Sequence, residues 1–440
     1  MAKDPTIFQR ILISLCSLDR LLSSEHNLIK NQPFTIFFMK HIILGTLLLG
    51  ASLSVSAQDN HSYGASDNQF KSLAEEVAKL QKHNDMFNVY LNWSGAFNAE
   101  QDANKDWGTR FANKQLRLEI KGNLTDKLYY RLRHRLNKSQ AGRGNDNFAK
   151  ATDIMMVGYK FSDKFKLEAG KMCQYWGGFE FDENPMYIYE FSDMVGNMDN
   201  YHMGVAASIK PIPTQELILM VTNTDNDKFA DYYAPNAQSV EGTGKSVRDL
   251  EPTKNGLTYI ANWNGSFLGD KLRTRWAWGL LTQAKHKYSR MMSLGQQLNL
   301  PKVQWYFDYM NEYAGLDRLR IASSEIQAAD PALLPENHFL SDVHYDSFIT
   351  KVNWQFAPQW NFMAKGMYET ASVSKVEKYK NYRKHFSWIT SVEYYPVKSQ
   401  DFRLYLAYIG HKVNYSELSG LKNYNTNRIE LGFMYRIKAY

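Results

Sequence analysis

The amino-acid sequence predicts an all-β protein, a transmembrane antiparallel β-barrel of about 16 strands preceded by a short N-terminal helix. Three observations favour this class over a soluble β-sandwich. An export signal lies near the start, apolar and polar residues alternate from residue 86 to the C-terminus, and short turns alternate with long polar connections. With 14% aromatic residues and only 2 cysteines among 440, the chain is not collagen-like, disulfide-rich or disordered.

A secretory signal peptide is predicted at residues 39–57. Met39, Lys40 and His41 form a basic start, an apolar stretch follows, and small residues precede Gln58. Because an export signal should be N-terminal, we expect residues 1–38 to be an upstream extension outside the native protein. Their translation is left open.

Residues 58–85 form a predicted leader that contains the short helix. Its apolar residues recur at three- and four-residue spacing, at Phe70, Leu73, Val77 and Leu80. This narrow stripe is typical of a short coiled coil or of a helix lying against a surface. A solvated leader with one weakly amphipathic helix is an equal alternative.

Residues 86–440 are predicted to form the barrel. Leu116, Leu118 and Ile120, for example, alternate with Arg117 and Glu119, so each strand has one apolar and one polar face. The short turns fall at 125–127, 162–163, 211–214, 268–270, 358–359 and 397–401. The longer connections are 99–106, 138–150, 175–199, 224–253, 289–300, 374–384 and 415–423. Such alternation is typical of an up-and-down meander whose two ends face different compartments.

The sixteenth strand has the weakest pattern. A strand is required between Met310 and Phe348 to keep the turn at 358–359 on the short-turn side, and we assign it to Leu316 to Ile326. Counts of about 14 or 18 strands remain compatible with the sequence. Aromatic residues near the short turns, such as Trp360 and Phe402, favour a membrane boundary.

The apolar faces are predicted to contact lipid and the polar faces to line the lumen. Fourteen basic lumenal residues are expected: Arg117, Lys121, Arg131, Arg133, Arg135, Lys166, Lys210, Arg273, Arg275, Lys351, Lys365, Arg403, Arg428 and Arg436. Six acidic ones oppose them: Glu119, Glu168, Glu216, Glu369, Glu393 and Glu430. The predicted anion-binding wall comprises Arg117, Lys121, Arg131, Arg133 and Arg135, with Arg273 and Arg275 as a second patch. A basic lumen favours anions through Coulomb attraction.

The connection after residue 170 is too apolar for a loop in water. We predict that it folds into the barrel as a constriction loop, with Tyr175, Trp176, Phe179, Tyr187 and Tyr189 packed on the wall. Its acidic residues, Glu180, Asp182, Glu183 and Glu190, are expected to face the channel. Packing against a subunit interface or a rim is the alternative.

This region resembles the phosphate-selective (O/P type) outer-membrane porins, in the form found in Bacteroidetes-like bacteria. The resemblance rests on Gly170-Lys171 followed by Gly177-Gly178-Phe179-Glu180, on Tyr187-x-Tyr189-Glu-Phe-Ser, and on the preceding signal and heptad helix. It implies a sixteen-stranded homotrimeric pore with a basic eyelet and an arginine ladder that passes phosphate or other anions. Arg131, Arg133 and Arg135 are compatible with that ladder, but no tight lysine cluster matches the family's anion site.

The predicted function is therefore passive diffusion of small solutes, with anion preference, across the bacterial outer membrane. Its partners are expected to be small anions, outer-membrane lipid and two further copies of the chain, without nucleic acid. No catalytic motif, metal-ligand spacing or cofactor signature occurs, so we predict no enzyme, no metal and no cofactor. The alternative is a barrel that serves as a structural or assembly component and binds partners. The anion carried and the pore diameter are left open.

Overall fold

The computed structural model describes residues 86–241, 246–397 and 399–439. The predicted signal peptide, the upstream extension and the helix within residues 58–85 lie outside this part of the chain. In the described part, no helix is long and apolar enough to cross a membrane.

The described chain is all-β, and its strands alternate inward and outward residues as the sequence predicts. The first nine strands are β1 (Asn88–Gln101), β2 (Trp107–Asn123), β3 (Leu128–Arg135), β4 (Thr152–Ser162), β5 (Phe165–Cys173), β6 (Tyr201–Ile212), β7 (Gln215–Asn223), β8 (Gln238–Glu241) and β9 (Ser246–Asp249). The others are β10 (Leu257–Phe267), β11 (Leu272–Ala284), β12 (Lys287–Leu300), β13 (Val303–Leu316), β14 (His338–Ala357), β15 (Trp360–Val373), β16 (Arg383–Tyr394), β17 (Asp401–Tyr415) and β18 (Tyr424–Lys438).

Sixteen of these strands form a closed antiparallel barrel. Each of β1–β7 and β10–β18 pairs with its neighbours, and β18 returns to pair with β1, Leu91 lying opposite Ile437. β8 and β9 form a hairpin outside the barrel wall, and β8 pairs in parallel with the start of β14. Among the described residues, closure pairs each barrel strand on both sides except at residues 107–115 of β2, and such pairing is needed in lipid because an unpaired backbone group there is costly.

Within the described ranges, four short α-helices and three 3-10 helices lie in the connections. The α-helices are α1 (Phe179–Asp182), α2 (Asp193–Asn197), α3 (Phe229–Tyr233) and α4 (Ile321–Ala329), and the 3-10 helices span Pro185–Tyr187, Glu377–Tyr379 and Glu417–Ser419.

The predicted position of the sixteenth strand is wrong. The strand is β12, in a segment predicted to be a long connection, whereas Leu316–Ile326 contains only the end of β13 and most of α4. The doublet Met291-Met292 hides the alternation, because Met291 is buried on the inner face and Met292 lies on the outer face. Asp317 stabilises the start of α4 instead of a strand, since its carboxylate accepts hydrogen bonds from the backbone N–H groups of Arg320 and Ser323.

The outer face of the wall is apolar and aromatic. Leu406 and Leu431 are 55% and 60% exposed, which suits contact with lipid chains and not with water. Near the short turn between β14 and β15, Phe356 packs on Trp354 and Trp360, and the Trp360 ring lies 4.6 Å from that of Tyr394. Such clusters are typical of the aromatic girdle at a membrane boundary.

Candidate functional site

The connection between β5 and β6 folds into the barrel. Every residue from Lys171 to Tyr189 is buried, although this connection is long enough to extend into solvent. Gly177 and Gly178 have φ angles of 68° and 74°, which side chains with a Cβ rarely adopt, and they turn the chain inward. We call residues 174–200 the constriction loop.

Backbone groups of the constriction loop are held by the wall strands. The N–H of Gly178 donates to the carbonyl oxygen of Arg275 at 3.0 Å. Asp308 of β13 accepts from the N–H groups of Phe179 and Glu180 at 2.7 and 2.8 Å. The side chain of Asp308 therefore satisfies the first donors of α1, and it fixes the loop to the wall.

The acidic residues of the loop are paired with basic residues of the wall. Glu180 forms an ion pair with Lys365, and Glu183 forms one with Lys351. Arg275 lies 3.1 Å from the carboxylate of Asp182. The prediction that these three carboxylates face the channel is wrong, since Glu180, Asp182 and Glu183 are 6% exposed or less. A buried carboxylate needs a cation or hydrogen-bond donors beside it, and the basic wall supplies cations for these three acids.

The aromatic residues of the loop lie against the wall and most bond to it. The hydroxyls of Tyr175, Tyr187 and Tyr189 donate to the carboxylates of Glu168, Asp401 and Glu393 respectively. The ring of Phe179 stacks on that of Tyr306 with centroids 6.0 Å apart, and Trp176 is fully buried. Aromatic rings with a polar edge can satisfy both the apolar and the hydrogen-bonding demands of this contact.

Asp182 and Glu190 of the loop have pKa values that are shifted in opposite directions. Burial raises the pKa of Asp182 to about 7, and the nearby Arg275 guanidinium only partly offsets this effect. Burial would also raise the pKa of Glu190, but the hydrogen bond with His411 and the charge of Arg428 outweigh it and lower the pKa to about 2. Asp182 therefore changes its charge near neutral pH, while Glu190 stays ionised.

The predicted arginine ladder is part of a larger cluster on adjoining strands. Arg131 and Arg436 pair with Glu119 at 2.7 and 3.0 Å. Asp153 pairs with three other guanidinium groups, those of Arg117 at 3.5 Å, Arg133 at 3.3 Å and Arg135 at 2.7 Å. We call these seven residues the arginine cluster. Five guanidinium groups share two carboxylates, so the cluster has a formal charge of +3.

The remaining predicted residues lie elsewhere on the wall. Arg273 is 3.3 Å from Asp270 at a short turn, and Arg275 holds the constriction loop. The ammonium group of Lys121 lies 5.7 Å from the centre of the Tyr90 ring. The second patch thus has partners of its own, outside the arginine cluster.

Sequence reasoning missed four buried acids of the wall, namely Asp153, Asp308, Glu312 and Asp401. Asp308 and Glu312 have the inward register of β13, so the alternation could have found them. Asp153 could not be found in this way, because the register between β3 and β4 shifts beside it and turns it inward. Basic residues of the wall were missed as well, among them Lys171 on β5 and Arg383 on β16, so the excess of basic over acidic wall residues remains.

Comparison with known proteins identifies relatives of this barrel. The phosphate-selective porin O and P family matches residues 87–437. Among solved structures, the outer-membrane channel DcaP of Acinetobacter baumannii superposes with a TM-score of 0.54 at 11% identity, over 80% of this chain and 97% of that one. An anion-selective porin from Comamonas acidovorans gives 0.51 at 8% identity, over 80% and 99%. No curated protein matches the chain.

Proposed function

Since this chain belongs to the phosphate-selective porin O and P family, we propose that its diffusion pathway prefers small anions such as phosphate. The family and the sixteen-stranded barrel make the protein an outer-membrane porin for small solutes. The preference for anions is the further step, and the excess positive charge of the arginine cluster supports it.

The main support for anion preference is the arginine cluster, in which five guanidinium groups outnumber two carboxylates. Asp153 is shared among three guanidinium groups, and the side chain of Arg135 is 21% exposed, so water and small ions can reach it. A positive group on a low-dielectric wall raises the local concentration of anions and lowers that of cations. Anions would contact the cluster at Arg135, without a cofactor and driven by their gradient, whereas Arg131 and Arg133, which are 1% exposed, would act on them only through their charge.

The reversal potential in a planar bilayer under a KCl gradient tests this proposal. We expect the reversal potential of the native protein to show selectivity for chloride over potassium. In R117Q/R135Q the reversal potential should shift toward potassium selectivity, because two positive charges are removed while Asp153 keeps Arg133 as a partner. The control R110Q/R290Q removes the same charge at exposed positions and should leave the potential unchanged. A reversal potential that shows potassium selectivity in the native protein would contradict the proposal. The absence of current from the folded barrel would favour the structural or assembly role.

The charge of Asp182 makes the selectivity depend on pH. Below its pKa of about 7 this carboxyl is neutral and leaves the charge of Arg275 uncompensated; above it, the carboxylate adds a negative charge beside Arg275. We expect anion preference to fall as the pH rises from 5.5 to 8.5, with part of this change lost in D182N. Reversal potentials at roughly these two pH values measure it. An identical pH dependence in D182N would exclude Asp182 as the titrating group.

We propose that the porin is a homotrimer whose contacts include the upper part of β2. Residues 117–123 of β2 pair with β3, but residues 107–115 pair only with β1 among the described residues. This edge carries exposed aromatic residues, with Phe111 at 87% and Trp107 at 55% exposure. Exposed apolar surface beside a free strand edge favours association with another copy.

Phe111→Ser is expected to shift the protein from trimer toward monomer, because it removes the most exposed aromatic ring of this edge. Light scattering coupled to size exclusion in a mild detergent measures the mass. Phe386→Ser, on the outer face of β16 at 40% exposure, is the matched control and should leave the mass unchanged. A trimer that survives Phe111→Ser would place the contact elsewhere.

A further inference from the structure

One cluster of possible metal ligands joins the constriction loop to the wall. Asp193 begins α2 in the loop, whereas Glu369 and His385 lie on β15 and β16. Each offers one ligand atom, and these atoms all lie within 4.8 Å of one another. Nδ1 of His385 is 2.8 Å from Oδ2 of Asp193 and 3.6 Å from Oε2 of Glu369. The three residues are far apart in sequence, so no motif spacing could predict them.

The two oxygens of Glu369 have different environments. Oε1 accepts hydrogen bonds from the N–H of Asp193 at 2.8 Å and from the hydroxyl of Ser347 at 2.6 Å. Oε2 has no hydrogen-bond partner among the residues that the structure describes, although Glu369 is only 2% exposed. A buried carboxylate oxygen without a donor is costly. This oxygen is directed toward His385 and would be satisfied by a cation between them.

Hydrogen bonds through a second histidine leave one proton missing from the cluster. Nε2 of His385 is 3.1 Å from Nδ1 of His411, and Nε2 of His411 is 3.0 Å from Glu190. Glu190, His411, His385 and Asp193 form a series with three contacts, and each contact needs one proton to become a hydrogen bond. Two neutral imidazoles supply only two protons. When the N–H groups point toward Glu190, Nδ1 of His385 presents a lone pair to the carboxylates. An added proton or a metal ion must fill that position.

The surrounding charges also favour a divalent cation. Ion pairs and hydrogen bonds connect six carboxylates in this region: Glu180, Glu190, Asp193, Glu325, Glu369 and Glu430. Four cations are connected with them: Lys114, Lys365, Arg383 and Arg428. With both histidines neutral the formal charge of this network is therefore −2, which one divalent ion would balance.

We propose that Asp193, Glu369 and His385 bind one divalent first-row transition metal ion, with Zn²⁺ as its representative. One imidazole nitrogen with two carboxylate oxygens suits Zn²⁺, whereas Ca²⁺ and Mg²⁺ prefer oxygen ligands alone. His411, which itself contacts Glu190, orients His385 through a hydrogen bond to Nε2, as is usual for metal-bound histidine. Water can complete the coordination, since the side chains of Asp193 and Glu190 are 20% and 29% exposed.

A metal ion at this position would fix the end of the constriction loop to the wall. Without metal, Asp193 pairs with Arg383, and Arg383 also pairs with Glu325 at 2.8 Å. The guanidinium group of Arg383 therefore keeps Glu325 as a partner when Asp193 binds the metal. The site does not involve the arginine cluster. Metal binding can therefore succeed or fail independently of anion preference.

Isothermal titration of metal-free protein in detergent with Zn²⁺ at about pH 7.5 tests the site. We expect one Zn²⁺ per chain, absence of that binding in E369Q and H385Q, and affinity reduced about 10- to 100-fold in H411Q. The control H344Q, which alters a half-exposed histidine beside Asp346 on β14, should bind like the native protein. Co²⁺ in place of Zn²⁺ should give visible absorption that E369Q and H385Q lose.

Three outcomes would overturn the proposal. The first is no stoichiometric Zn²⁺ binding by the native protein, in which case a proton fills the position beside His385. The second is unchanged binding in both E369Q and H385Q, which would place the ion elsewhere. The third is equal loss of binding in H344Q, which would indicate a general effect on the barrel. Resistance of the folded barrel to denaturation by detergent in the cold verifies that each variant is folded.

Discussion

Replacing Lys365 with methionine is expected to lower the free energy of unfolding by about 3–5 kcal/mol and to release the constriction loop. The ammonium group pairs with the carboxylate of Glu180 and donates to the carbonyl oxygen of Glu190 at 2.8 Å. Glu180 is fully buried, so water cannot solvate its carboxylate. Without Lys365 this buried charge has no cation beside it. The loop can relieve this cost only by leaving the wall, which should increase the single-channel conductance.

A double-mutant cycle separates the ion pair from other effects of the substitution. E180Q removes the charge that Lys365 balances, so K365M/E180Q should recover much of the stability that K365M loses. Lys375→Met is the matched control, because Lys375 pairs with Asp342 at the surface with its side chain 57% exposed. Its expected cost is below about 1 kcal/mol. Urea titration and bilayer recordings give the two readouts, and equal stability of K365M and Lys375→Met would refute the anchoring role.

The barrel could be predicted from sequence because every strand of a membrane barrel alternates between lipid-facing apolar residues and inward-facing polar residues. Lipid outside and polar groups inside impose a period of two on every strand, and Leu116, Leu118 and Ile120 obey it. The rule weakens where the inner residue is also apolar. Met291 is apolar but is buried on the inner face of β12, so the sequence of this strand does not alternate clearly and predicts a connection instead.

The constriction loop was predictable as a buried segment, but the direction of its charges was not. Its high apolar content indicates that it avoids water, and Phe179 and Tyr189 do lie against the wall. The pairing of Glu183 with Lys351 depends on residues 168 positions apart, which no local pattern reveals. The sequence predicts a basic lumen with the acids of the loop facing the channel, whereas in the structure those acids pair with Arg275, Lys351 and Lys365 of the wall.

The position of the loop also depends on a glycine in the wall, and Gly295→Val is expected to displace the loop. A Cβ at Gly295 of β12 would lie 2.8 Å from the Cα of Gly178 and 2.6 Å from Oδ1 of Asp308. Gly178 belongs to the backbone of the loop, so it cannot move aside as a flexible side chain would. We expect a loss of about 1–3 kcal/mol, because overpacking at a buried contact is relieved only by such shifts.

The matched control for this substitution is Gly366→Val on β15, where the nearest atom to an added Cβ is Cγ2 of Thr350 at 3.7 Å. It adds the same side chain to the same kind of strand without touching the loop, and should leave stability and conductance near those of the native protein. Gly295→Val should instead raise the conductance, since displacement of Gly178 pulls the N–H groups of Phe179 and Glu180 from Asp308. K365M acts on Glu180 by charge and Gly295→Val acts on the nearby Gly178 by volume. Because the two mechanisms are unrelated, an increase in conductance from both would identify the docked loop as the barrier to ion flow. An increase from K365M alone would instead assign the effect to the altered charge of the wall.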